Sequence, residues 1–142
     1  MNNVLLAYDG SDSSARALRH LLTISPERRP SQIHLVNVQI VPMFHGQILT
    51  QDDVRIAREA QLAQGRHLLL PAEDELLAAS ARFQSHVILG EVEHAIVDLA
   101  RELGCDQIVM GTRGMGRIKG LLLGSVAMKT VHLSEIPVTL VK

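Results

Sequence analysis

A chain of 142 residues, 46% hydrophobic and 20% charged, is long enough for one domain with a substantial core and too apolar to be disordered. Aromatic residues make up only 2%, so the core is aliphatic, and a formal net charge of −1 excludes the basic excess of a dedicated nucleic-acid binder. No apolar run approaches the roughly 20 residues needed to span a bilayer, and the N-terminus lacks the order of a signal peptide, so the expectation is a cytoplasmic protein with no membrane and no nucleic-acid partner.

Asn3-Val4-Leu5-Leu6-Ala7-Tyr8 is a short apolar run closed by Asp9-Gly10-Ser11-Asp12, the form of a buried first strand. Ser11, Asp12 and Ser13 offer N-cap oxygens to a helix whose apolar positions recur at Ala15, Leu18, Leu21 and Leu22 and which Pro26 ends. Ile33, Leu35, Val36 and Val38 predict a second strand inside Gln32 to Gln39, followed by a loop over residues 40–49. Thr50-Gln51-Asp52-Asp53 is an acidic helix start, and the segment through Phe83 is rich in strong helix formers. Pro71 predicts a kink or a brief break in that helix. Val87-Ile88-Leu89, begun between Phe83 and His86, is a third strand. Glu91 to Leu103 follows as a helix, with Gly104 as its left-handed stop. Gln107 to Met110 is a fourth strand, Ser125 to Leu133 a helix and Pro137 to Val141 a fifth strand, its proline at the first residue where a strand tolerates one.

Short apolar strands alternating with helices specify βαβ units, hence an α/β fold with a parallel, doubly wound, Rossmann-like sheet and helices on both faces, in one domain over residues 1–142. Cys105 is the only cysteine, so neither an intrachain disulfide nor a thiolate metal cluster can form, and its setting is that of an inert, partly buried thiol. The seven histidines show no pair at metal-ligand spacing near acidic partners, and His45 reads as a solvated loop residue.

The chemistry concentrates between Met110 and Ser125. Glycines alternate there with Arg113, Arg117 and Lys119, and no Asp or Glu occurs from Gln107 to Ser134. Glycines admit main-chain donors close to phosphate oxygens, and a helix beginning near Ser125 adds a partial positive charge, so the stretch suits a phosphate. The dinucleotide fingerprint that starts at Gly114-Met115-Gly116 fails at Lys119, and a Walker A loop fails because Lys119 precedes Gly120. No nucleophile with a base and an orienting third group is apparent, so any hydrolysis is expected to be slow. Doubly wound sheets bind ligands beyond the strand ends where strand order reverses. Asp9-Gly10-Ser11 after the first strand and the glycine stretch after the fourth are the candidates.

What remains is the spacing Gly111-x2-Gly114-x9-Gly124-Ser125, which resembles the ATP-binding signature of the universal stress protein family. Leu6-Ala7-Tyr8-Asp9-Gly10-Ser11, Val36-Asn37-Val38, residues 106–114 and Pro137-Val138-Thr139-Leu140-Val141 resemble that family too, so the similarity covers nearly the whole chain. It implies a five-stranded sheet of order 3-2-1-4-5 and a regulatory, adenine-nucleotide-binding protein taking ATP, AMP or ADP. By the same resemblance Asp9 and Val38 contact the adenosine, while Gly111, Gly114 and Gly124 present amides to phosphates. Ser125 donates its hydroxyl, and Ala7, Tyr8, Met110, Arg113 and Val126 are neighbours in the pocket. Mg2+ or Mn2+ bridging the phosphates is an option the family offers, with no protein ligand identified. A homodimer through residues 137–142 and an unknown protein partner are also implied, and the exposed edge of a last strand argues for pairing on physical grounds.

Each assignment has a plain structural alternative. Asp9 can hold the Asp-Gly turn or cap the first helix, Ser125 is a good N-cap, and Arg113, Arg117 and Lys119 can be a solvated loop face. The alternative for the whole chain is a dimeric interaction module of the same fold that binds no nucleotide. A phospho-acceptor receiver domain is excluded, because its acceptor Asp would stand where the third strand ends in Leu89-Gly90.

Overall fold

The computed structural model describes residues 2–41, 43–46, 48–114 and 123–142. Five strands, β1 (Asn3–Ala7), β2 (Gln32–Gln39), β3 (Phe83–Leu89), β4 (Gln107–Gly111) and β5 (Val138–Val141), alternate with α1 (Asp12–Thr23), α2 (Gln51–Ala78), α3 (Val92–Glu102) and α4 (Ser125–Leu133). They pair in parallel as β3-β2-β1-β4-β5, the order expected. Strand alternation sends Val4, Leu6, Ile33, Leu35 and Val109 to one face, where Leu18 and Leu21 of α1 and Leu69, Ala72 and Leu76 of α2 cover them. Leu5, Val36 and Ile108 face the other way, against Ile96, Val97 and Ala100 of α3 and Val126 and Leu133 of α4. Both faces are therefore sealed by aliphatic side chains, and the strand ends are left to meet ligands.

Helices α3 and α2 end by the same device. Gly104, at φ +61°, follows α3, with its N–H on the Arg101 carbonyl at 3.1 Å and the Cys105 N–H on that of Ala100 at 2.8 Å. This is the Schellman closure, and Gly104 is the stop that its position predicts. Ser80 takes the left-handed place after α2 at φ +50°, with the Ser80 and Ala81 N–H groups on Leu77 and Leu76 carbonyls at 2.9 and 3.0 Å. The second helix therefore ends at Ala78, several residues short of the Phe83 expected from composition, because a serine rather than a glycine closes it. Pro71 causes no break, since α2 is continuous through it. Pro71 is exposed, on the side of α2 away from the sheet, while Leu69, Ala72 and Leu76 hold the buried side.

Cys105 is buried with its thiol pushed up to about 11, chiefly by burial and then by Asp106, which keeps it protonated and inert. A feature of the sheet that no sequence spacing reveals is a histidine pair. His34 Nδ1 lies 3.1 Å from His86 Nε2 across β2 and β3, so one ring donates and the other accepts, and the accepting ring must be neutral. Burial lowers the pKa of both, and the His34 charge lowers that of His86 further. With folded values below the ordinary value of about 6.5, the unfolded chain takes up protons first as the medium is acidified. Stability is then complete above about pH 6.5 and declines as pH falls through the folded values. Urea midpoints of wild type should drop between pH 7.5 and 5.0, and His86→Gln should flatten that drop; parallel profiles would remove the pair from the explanation.

Candidate functional site

Strand order reverses between β1 and β4, and a cavity of about 460 Å³ opens beyond their C-terminal ends. All eleven residues singled out from the sequence border it. Ala7, Tyr8 and Asp9 arrive at the end of β1, Val38 near the end of β2, Met110, Gly111, Arg113 and Gly114 at the end of β4, and Gly124, Ser125 and Val126 at the start of α4. The two glycine groups meet because the Gly124 N–H donates to the Thr112 carbonyl at 2.7 Å. Of the cationic stretch, Gly116, Arg117, Lys119 and Gly120 lie outside the described residues.

The walls are mostly aliphatic. Val36 and Val38 of β2, Val92 and Ile96 of α3, and Val126, Ala127 and Met128 of α4 supply them. The α3 residues were not anticipated, since on a helix they carry the same periodicity as core positions. Ser14, Asn37 and Leu123 complete the lining. Tyr8 packs its ring in the core under α1 and α2, so it offers the cavity main chain rather than phenol. Burial raises that phenol's pKa, with Glu75 adding to the effect, and the ring stays neutral.

Among the described lining residues Asp9 is the only carboxylate and Arg113 the only cation. Asp9 Oδ1 accepts from the Ser11 N–H at 2.9 Å, which fixes the turn into α1, while Oδ2 lies 3.0 Å from where a side chain on Gly114 would begin. The turn-holding role is thus real, and it leaves the second oxygen beside the glycine segment. Gly111 is bare for a reason the motif does not express. A Cβ there would meet the backbone carbon of Ser13 at 2.6 Å, so the first turn of α1 occupies the space. Ser13 and Ser11 tie that turn to the loop, Ser13 Oγ accepting from the Arg113 N–H at 3.3 Å and Ser11 Oγ donating to the Arg113 carbonyl at 3.4 Å.

Helix starts differ around the site. Ser11 Oγ caps α1 and Thr50 with Asp53 forms a capping box on α2, whereas α3 and α4 have no side-chain cap among the described residues. Ser125 is not the N-cap of α4; Gly124 holds that position and Ser125 is the first helical residue, exposed. The first turn of α4 therefore presents main-chain N–H groups at the cavity that no side chain among the described residues caps. Lys129 Nζ spans to Glu93 Oε1 at 2.7 Å, tying the α4 and α3 walls together. That hydrogen bond, helped by the main chain at the start of α3, holds the Glu93 carboxyl below its usual range despite burial.

The family model described as the universal stress protein family matches residues 1–142. The chain belongs to the universal stress protein family. Universal stress protein YxiE of Bacillus subtilis is 29% identical over 147 residues, covering 99% of each chain. Among solved structures, UspA from Lactobacillus plantarum superposes with a TM-score of 0.82 at 18% identity, over 99% of this chain and 97% of that one, a likeness of fold. A universal stress protein in complex with cAMP is 27% identical with a TM-score of 0.68, over 99% of this chain and 97% of that one. This family member shares its overall α/β fold with them.

Proposed function

We propose that this chain is an adenine-nucleotide-binding regulatory protein of stress responses, with ATP, AMP or ADP in the cavity and hydrolysis slow or absent. The observation that carries the reading is the N-terminus of α4, uncapped among the described residues, opening on a cavity walled mostly by aliphatic side chains. Amides of Gly114 and the first turn of α4 are suited to phosphate oxygens, with the Ser125 hydroxyl and Arg113 beside them, whereas the Gly124 N–H is engaged by the Thr112 carbonyl and leaves that glycine to keep the approach open rather than to donate. The apolar walls with Val38 suit a base and its sugar, with Asp9 next to them. The cAMP complex of a relative supports the same ligand class. Mg2+ or Mn2+ would act by bridging phosphates, and no described side chain is assigned to it. No described helix is long and apolar enough to cross a membrane, and we place the protein in the cytoplasm.

Gly124→Val tests the phosphate end without attacking the fold, because its φ of −71° suits any residue and a Cβ there meets nothing closer than the Thr112 carbonyl oxygen at 3.4 Å. The branched side chain should weaken ATP at least tenfold, about 1.4 kcal/mol, in calorimetric titration, with melting temperature little changed. Equal binding by wild type and variant would remove these residues from the site.

The edge position of β5 supports a homodimer through residues 137–142, since its outward main-chain groups have no strand beside them among the described residues. Leu140→Lys should give a monomer in light scattering, and a persistent dimer would move the interface elsewhere.

A further inference from the structure

We infer that Asn37 is a positioning residue that stops the β1–β2 ladder one step early and so keeps the Val38 main chain available to the ligand. The inference rests on the adenine-nucleotide reading of the cavity. In a parallel pair, one residue directs both its N–H and its carbonyl to the same neighbour, and the next residue but one repeats the direction. Val36 faces β1, its carbonyl accepting from the Tyr8 N–H at 2.8 Å. Val38 therefore faces the same way, toward the gap that β1 leaves as it turns at Asp9. A ladder continued by one bond would set the Val38 N–H on the Tyr8 carbonyl. Instead the side chain of Asn37 takes that carbonyl, Nδ2 to O at 2.8 Å.

The amide is held for this task. Gln39 Nε2 donates to Asn37 Oδ1 at 2.7 Å, which fixes the orientation that aims Nδ2 at Tyr8. Asn37 is only 2% exposed, and Gly65 of α2 lies over it so closely that a Cβ there would stand 2.9 Å from Oδ1. A buried carboxamide at this depth needs partners for both ends, and it finds them in Tyr8 and Gln39. The carbonyl of Tyr8 is thereby satisfied without the main chain of Val38, and both residues border the cavity.

Asn37→Leu and Asn37→Ala remove the donor with and without comparable bulk. In ligand-free protein the Val38 amide should become about tenfold more protected from hydrogen exchange in both, as its N–H closes onto the Tyr8 carbonyl, while other β2 amides keep or lose protection. A merely structural residue would give only losses. Calorimetric titration with ATP should show affinity falling about tenfold or more, the scale of one main-chain hydrogen bond. Unchanged Val38 exchange in both variants overturns the inference, and so does raised protection with wild-type ATP affinity. If the wild type itself binds no ATP, the nucleotide reading fails, and the exchange measurement still decides whether Asn37 holds the seam open.

Discussion

Gly111→Ala should destabilise the ligand-free protein by about 3 kcal/mol, the upper range for overpacking, although alanine is the smallest possible addition. The new Cβ would overlap Ser13 Oγ and Cβ and stand 2.6 Å from the Ser13 carbonyl carbon. A rotamer change relieves the hydroxyl but not the backbone, so the first turn of α1 has to lift from β4. Lifting it breaks the contacts of Ser13 and Ser11 with Arg113 and that of Ser13 Oγ with the Val141 carbonyl at 3.4 Å. Urea unfolding without nucleotide is the measurement. Near-wild-type stability combined with lost ATP binding would restore Gly111 to a purely phosphate-facing role, whereas a large loss of stability shows that packing of α1 dictates the glycine.

That result bears on what a glycine motif says. The spacing from Gly111 to Ser125 brings three glycines to one cavity, yet the physical reasons differ: Gly111 yields to a helix, Gly114 stands against Asp9, and Gly124 is the N-cap of α4 with ordinary room around it. A sequence pattern records that a side chain is missing and is silent on what excludes it. Strand ends were legible because apolar runs followed by Asp-Gly or Gly-Thr mark where a buried strand turns outward, and the switch point between β1 and β4 follows from strand order. Val92 and Ile96 were not, since the cavity wall they form has the same helical spacing as the core. The His34–His86 pair depends on cross-strand register, which aligns Val36 with His86 and His34 with Gln84, and a sequence separation of 52 hides it. Ser80 closes α2 in a conformation usually given to glycine, so composition carried the helix too far.

Gly65→Ala makes the opposite case to helix propensity. Gly65 sits inside α2, where exchanging glycine for alanine on an exposed face would add about 1 kcal/mol of stability. Here the added methyl would overlap Val87 Cγ1 of β3 and stand 2.9 Å from Asn37 Oδ1 and 3.2 Å from Gln39 Cγ of β2. Helix and sheet must separate or Val87 must leave its rotamer, and an overpacking cost of up to about 3 kcal/mol outweighs the gain, leaving a net loss of about 2 kcal/mol. The same displacement presses on the carboxamide that holds the Tyr8 carbonyl, so ATP affinity should fall together with stability. Val87→Ala supplies the control: combined with Gly65→Ala it removes the worst overlap, and the double variant should be more stable than the sum of the single losses predicts by about 1 kcal/mol. If the pair restores stability but not ATP affinity, the pressure on Asn37 and Gln39 remains and α2 is coupled to the cavity through β2. Strict additivity would instead show that the helix withdraws from the sheet as a body, with Val87 no special obstacle.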